Sequence, residues 1–139
     1  MLRTKKQTVL KRLWDTHLSD YVTAIAWTPA GTQLAASSGA GEVILYTSAT
    51  GKSTCLQSSQ GESVAALALS ADGKFLAAGG QAGTVWIWQI DSDTPALLTT
   101  LEHTRTWIDR LQWHPNSPEL AFSFGRYVQV WHAVDQTVV

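Results

Sequence analysis

Side chains able to do chemistry are sparse in this chain. Four histidines, eleven carboxylates and a single cysteine, Cys55, are spread over 139 residues. His17 with Asp20, and His103 with Asp109, have the residue types of an acid–base pair or of two metal ligands, since an imidazole can exchange a proton near neutral pH while a carboxylate orients it. Neither spacing matches a metal motif, and one carboxylate beside one imidazole is a common surface pairing. Gly51-Lys52-Ser53 has the ending of a phosphate-binding loop, but the position five before Gly51 is Tyr46. The cradle of backbone amides is therefore missing, and the segment reads as a turn. His114 precedes Pro115 in another turn, and nothing near Cys55 suggests a lowered thiol pKa. No catalytic residue, metal ligand or cofactor is expected, and the chain reads as a non-enzyme.

The elements that carry these residues come from a repeat. Aligned on itself, the chain has a period of about 42 residues. Val22 recurs at Val64 and Ile108, Trp27 at Leu69 and Trp113, and Leu34 at Leu76 and Leu120. The runs Val43-Ile44-Leu45-Tyr46, Val85-Trp86-Ile87-Trp88 and Val128-Gln129-Val130-Trp131 follow Gly41, Gly83 and Gly125. Each copy holds four short apolar segments between turn residues, none long enough or suitably periodic for a helix, which predicts four strands per unit. Small residues such as Ala24 and Ala26 alternate with Ile25 and Trp27, so both faces of a sheet can be covered. One unit cannot bury two faces alone, so stacking of units makes the core.

The period, the terminal tryptophans Trp88 and Trp131, the Thr50-Gly51-Lys52 turn and above all the stretch Leu67 to Trp88 resemble the WD-repeat family of β-propellers. The resemblance implies an all-β fold of four-stranded antiparallel blades around an axis, with the first strand of each repeat innermost. Residues 1–7 form a basic tail, 8–14 a candidate closing strand, and 15–56, 57–99 and 100–139 the three repeats, the last lacking its outermost strand. The family's aspartate after the terminal Trp is replaced by Thr47, Gln89 and His132, and the turn aspartate by Ala40 and Ala82. The family's histidine falls at Gln60 in the second copy, while His17 and His103 lie about a residue off register. The hydrogen-bond network inside each blade is therefore expected to be incomplete, leaving packing to hold the blades.

Three repeats do not close a ring, because propellers have at least about four blades. The expectation is a homo-oligomer, dimer or trimer, in which each closing strand completes a neighbour's last blade, or a longer chain that supplies the remaining blades. An open three-blade monomer would leave a blade face and strand edges in water.

Composition narrows the function. A 45 % hydrophobic and 15 % charged chain argues against intrinsic disorder, and the longest apolar run, Val64 to Leu69, is too short for a membrane helix. Five of the ten basic residues lie within the first twelve positions, so the remaining chain sets five basic residues against all eleven acidic ones. An acidic body repels phosphates, and neither nucleic acid nor membrane is expected as a partner. The lone cysteine and the absence of a signal-like start place the chain in the cytoplasm. The function implied by the resemblance is a non-catalytic scaffold for protein–protein interaction or complex assembly, possessing no cofactor. The alternatives are a small-molecule or glycan-binding propeller, or part of a larger regulatory protein. Aromatic and arginine residues dominate binding hot spots, and Tyr21, Arg105, Trp107, Arg126 and Tyr127 stand on loops and turns of one rim, making them the candidate partner-binding patch. Trp86, which has Ile44 and Gln129 as its repeat equivalents, is a further interface candidate.

Overall fold

Turn chemistry fixes where the strands stop. Pro29-Ala30-Gly31 and Ala71-Asp72-Gly73 reverse the chain between the first two strands of their repeats, with φ of 74° at Gly31 and 76° at Gly73, a backbone region in which glycine is free of strain. In the second of these turns the Asp72 carboxylate accepts hydrogen bonds from the Ser70 hydroxyl at 2.7 Å and the Lys74 amide at 3.0 Å. The computed structural model of the chain describes residues 11–103 and 106–138, and all regular structure in it is β.

Three four-stranded antiparallel sheets form in chain order. The first blade is β1 (Val22–Trp27), β2 (Gln33–Ser38), β3 (Val43–Thr47) and β4 (Ser53–Gln57). The second is β5 (Val64–Leu69), β6 (Phe75–Gly80), β7 (Thr84–Gln89) and β8 (Ala96–Glu102). The third is β9 (Ile108–Trp113), β10 (Glu119–Phe124), β11 (Tyr127–His132) and β12 (Thr137–Val138). Each innermost strand carries a bulge after its first residue. The bulge puts Val22 on the face of Ile25 and Trp27 rather than on that of Ala24, and it does the same for Val64 and Ile108.

Two apolar cores lie between the blades. Ala35, Val43 and Leu45 of the first blade pack on Val64, Leu76, Ala78 and Trp88 of the second. The opposite face of the second blade, with Phe75, Ala77, Val85 and Ile87, packs on Ile108, Trp113, Leu120, Phe122 and Trp131 of the third. β6 is buried along its whole length because blades cover it on both sides. Its glycines permit close approach: a Cβ on Gly79 would stand 2.6 Å from Cγ2 of Ile108, and one on Gly80 would collide with the Ser63 carbonyl.

Three expectations change. The third repeat does have an outermost strand, the two-residue β12 paired with Trp131 and His132, because the chain reverses through Gln136 at φ 55°. Within the expected closing strand Thr8–Trp14, residues 8–10 lie outside the described residues, and 11–14 form no strand. Trp14 instead rests on its own blade, donating from Nε1 to the Ser48 carbonyl at 2.8 Å with its ring 5.4 Å from that of Tyr46. Trp86 is no free interface residue either; it is partly buried against the core between the first and second blades.

Candidate interaction rim

The loops that lead into the innermost strands and the turns between second and third strands share one rim. Backbone bonds tie them together: within the first and second blades Gly39 donates to the Tyr21 carbonyl and Gln81 to that of Ser63, and the loops that lead on to the next blade are held by Gln60 donating to Ala40 and His103 to Gly83. In the first blade the rim is organised by Glu42. Its carboxylate accepts from the Ser19 amide and hydroxyl and from the Ser38 hydroxyl at 2.7–2.9 Å, and Ser19 in turn meets Ser59 at 3.0 Å. Burial alone would raise the Glu42 carboxyl, but these bonds and nearby His17 outweigh it and hold the group below its ordinary value. Glu42 thus does the work that the sequence pattern assigns to a turn aspartate. The only signal for it was a carboxylate just after Gly41.

In the third blade the rim is organised by aromatic rings. His103 stacks on Phe124 at 4.0 Å and lies 5.4 Å from Phe122, while Phe124 stacks on Tyr127 at 5.5 Å. The ladder climbs from fully buried Phe122 to Tyr127, which is 68 % exposed. The His103 Nε2 atom is buried with no hydrogen-bond partner among the described residues. Thr106 packs beside Gly125, which brings the Trp107 loop against the Arg126–Tyr127 turn.

Of the five candidate residues, the structure therefore gathers Trp107, Arg126 and Tyr127 on the third blade, all exposed. Tyr21 is also exposed but stands two blades away, at the start of β1. Arg105 lies outside the described residues. Between the two ends runs a polar cleft of about 370 Å³ lined by Glu62, Gln81, Thr84, Glu102 and His103. The candidate acid–base pairs do not meet: Asp109 accepts from the Ser123 hydroxyl, Asp20 from the Tyr21 amide, and His103 lies in the ladder. No group of three or more possible metal ligands converges among the described residues.

Comparison with known proteins gives these blades their place. A family model for the WD domain, G-beta repeat, matches residues 8–47 and 53–89, and the chain belongs to that family of WD40 repeats. The third blade lies outside the matched stretches but repeats the same sheet. Among solved structures, the RRP9 WD40 repeats align with a TM-score of 0.76 at 22 % identity over 91 % of this chain. A structure of U3-55K aligns at 0.77 and 22 % over the same share. The chain spans about 40 % of the length of either, and at this identity the likeness is one of fold. No curated protein matches the chain.

Proposed function

We propose that this chain is a non-catalytic propeller scaffold whose rim binds a protein partner. The observation that supports this reading best is the ladder His103–Phe124–Tyr127 with Trp107 and Arg126 beside it. Rings backed by a buried stack are rigid, and rigid aromatic anchors with an arginine bind at little entropic cost. Glu42, Glu62 and Glu102 on the same rim favour a protein partner over nucleic acid. The parted His–Asp pairs support the non-catalytic side of the reading. A cytoplasmic setting belongs to the same proposal and is supported by the exposed free thiol of Cys55.

The experiment is capture of soluble proteins on the immobilised chain, compared with Trp107→Ala, Tyr127→Ala and the outer-strand control Leu97→Ala. A partner held by the parent and the control but lost at least tenfold from both rim variants is expected. Retention indifferent to both rim substitutions would contradict the reading.

A further inference from the structure

The three blades fill one space on the rim in three ways. In the first blade the space between the loop before β1, the β2–β3 turn and the loop after β4 holds a polar knot. Glu42 accepts from Ser19 and Ser38, and Ser19 meets Ser59. Register finds the same positions in the other blades: Ser38 opposes Val22, Gly80 opposes Val64 and Phe124 opposes Ile108. Glu42 precedes Val43 as Thr84 precedes Val85 and Tyr127 precedes Val128, three valines at one register position. Ser19 and Gly61 each stand three residues before the strand-opening valine. The third blade fills the space with rings, Phe124 stacking on His103 and on Tyr127.

The second blade supplies nothing to fill it. All three polar residues of the knot are replaced: Ser19 by Gly61, Ser38 by Gly80, and Glu42 by the shorter Thr84. Gly80 has no room for a side chain, because a Cβ there would collide with the Ser63 carbonyl. What remains is the polar cleft of about 370 Å³. Its walls are the β6–β7 turn and the loops on either side of the middle blade, so neighbours on both sides shape it.

The groups around this cleft call for a cation. Glu62 comes from the loop before β5, and Glu102 from the end of β8, where it opposes Thr84. Both are exposed, and neither carboxylate has a hydrogen bond or ion pair among the described residues. His103 forms part of the wall, and its buried Nε2 is a further polar position without a partner. Gln81 is already engaged, its Oε1 accepting from the Ser63 amide at 3.2 Å. No lysine or arginine lines the cleft. The opposite rim differs. There a cleft of about 530 Å³ lies beside Asp72, Asp91 and Asp93, but Asp72 accepts from Ser70 and Lys74, and Asp91 from the Gln89 amide. Carboxylates without a partner beside one cleft raise the local concentration of cations.

We propose that the cleft over the second blade receives a cationic side chain of the protein partner, the guanidinium of an arginine or the ammonium of a lysine, between Glu62 and Glu102. The inference rests on the rim reading given above and adds the partner's chemistry to it. The segment that lies along the Trp107 loop carries its positive charge where it crosses the second blade. Arg126, on the turn of the third blade, repels a second positive charge at that end, so the two blades together set the direction in which the segment lies. A guanidinium has five donors in a planar fork and can serve two carboxylates at once.

The test is an NMR titration of the 139-residue chain with N-acetylarginine amide, set against N-acetylcitrulline amide, which has the same shape and no charge. Saturable shifts at the amides of Gly83, Thr84, Glu102 and His103 are expected from the arginine probe, with binding of the citrulline probe at least about tenfold weaker. Glu62→Gln combined with Glu102→Gln should weaken the arginine probe at least about tenfold. Asp91→Asn combined with Asp93→Asn removes the same charge from the opposite rim and should change it less than about twofold. Thr84→Arg, which places a cation of the chain's own in the cleft, should abolish the shifts. Equal binding of both probes, equal loss from the two double variants, or no saturable shift at the cleft overturns the proposal. If the probe fails while protein capture still depends on Trp107 and Tyr127, this inference falls and the rim reading stands. If the probe binds the cleft as expected while capture ignores both residues, the cation site stands and the rim reading falls.

Discussion

The middle blade and the two end blades repeat one pattern, yet their equivalent side chains have different fates. Val64 is fully buried and Val22 is more than half exposed, although both open the innermost strand of their blade at the same bulge. Val85 is fully buried and Val128 is open, although both begin the apolar run of a third strand. The difference lies in the neighbour, not in the residue. In a stacked repeat each unit buries one face on the unit before it and one on the unit after it, so a position is core only when its neighbour is present.

Substitutions that separate the buried member of an equivalent pair from the exposed one sharpen this comparison. The largest effect is expected for Trp131→Ala, which empties a fully buried site in the core between the second and third blades and should cost about 3–5 kcal/mol in denaturant unfolding. Trp27→Ala should stay within about 0.5 kcal/mol, because its ring has no blade to leave. A comparable cost for both would break the comparison.

Gly79→Ala comes next. It forces a Cβ against Ile108 and should cost about 1–3 kcal/mol. Adding Ile108→Val should return part of that loss, since serine and valine already share the equivalent joint between the first two blades. A double-variant cycle with no coupling would refute the size matching.

Glu42→Gln should cost about 1 kcal/mol, from weakened hydrogen bonds to Ser19 and Ser38. The pH dependence follows from the lowered Glu42 pKa. A carboxyl whose pKa is lower folded than unfolded contributes stability above its ordinary value of 4.5, and that contribution is lost as the pH falls through the folded value. Asp72 is lowered in the same direction, because the Lys74 amide and the Ser70 hydroxyl outweigh its burial. The parent should therefore lose stability below about pH 4.5 more steeply than Glu42→Gln, as thermal unfolding across that range would show. The smallest effect on folding is expected at the rim: Trp107→Ala and Tyr127→Ala should each lie within about 0.5 kcal/mol of the parent. Capture of a partner is where they should register.

Much of this was legible in the sequence, because periodicity and turn residues are local signals. The repeat of Val22, Val64 and Ile108, the glycine-marked turns and the alternation within β1 suffice to predict three blades of short strands. What was not legible depends on contacts across the repeat. Trp86 looked free because its equivalents are Ile44 and Gln129, yet neighbouring packing absorbs it. The two-residue β12 escapes because a strand so short has no periodicity, and it needs only a left-handed Gln136 to turn back. At the rim, Trp107, Arg126 and Tyr127 could be chosen by residue type. The ladder beneath them could not, since His103 and Phe124 meet across twenty residues and His103 suggests chemistry rather than stacking.

Radical footprinting of the tryptophans tests most directly the claim that neighbours decide burial. Trp88, Trp113 and Trp131 should be protected, while Trp27 and Trp107 should both be reactive. Trp27 as protected as its repeat equivalent Trp113 would contradict the account.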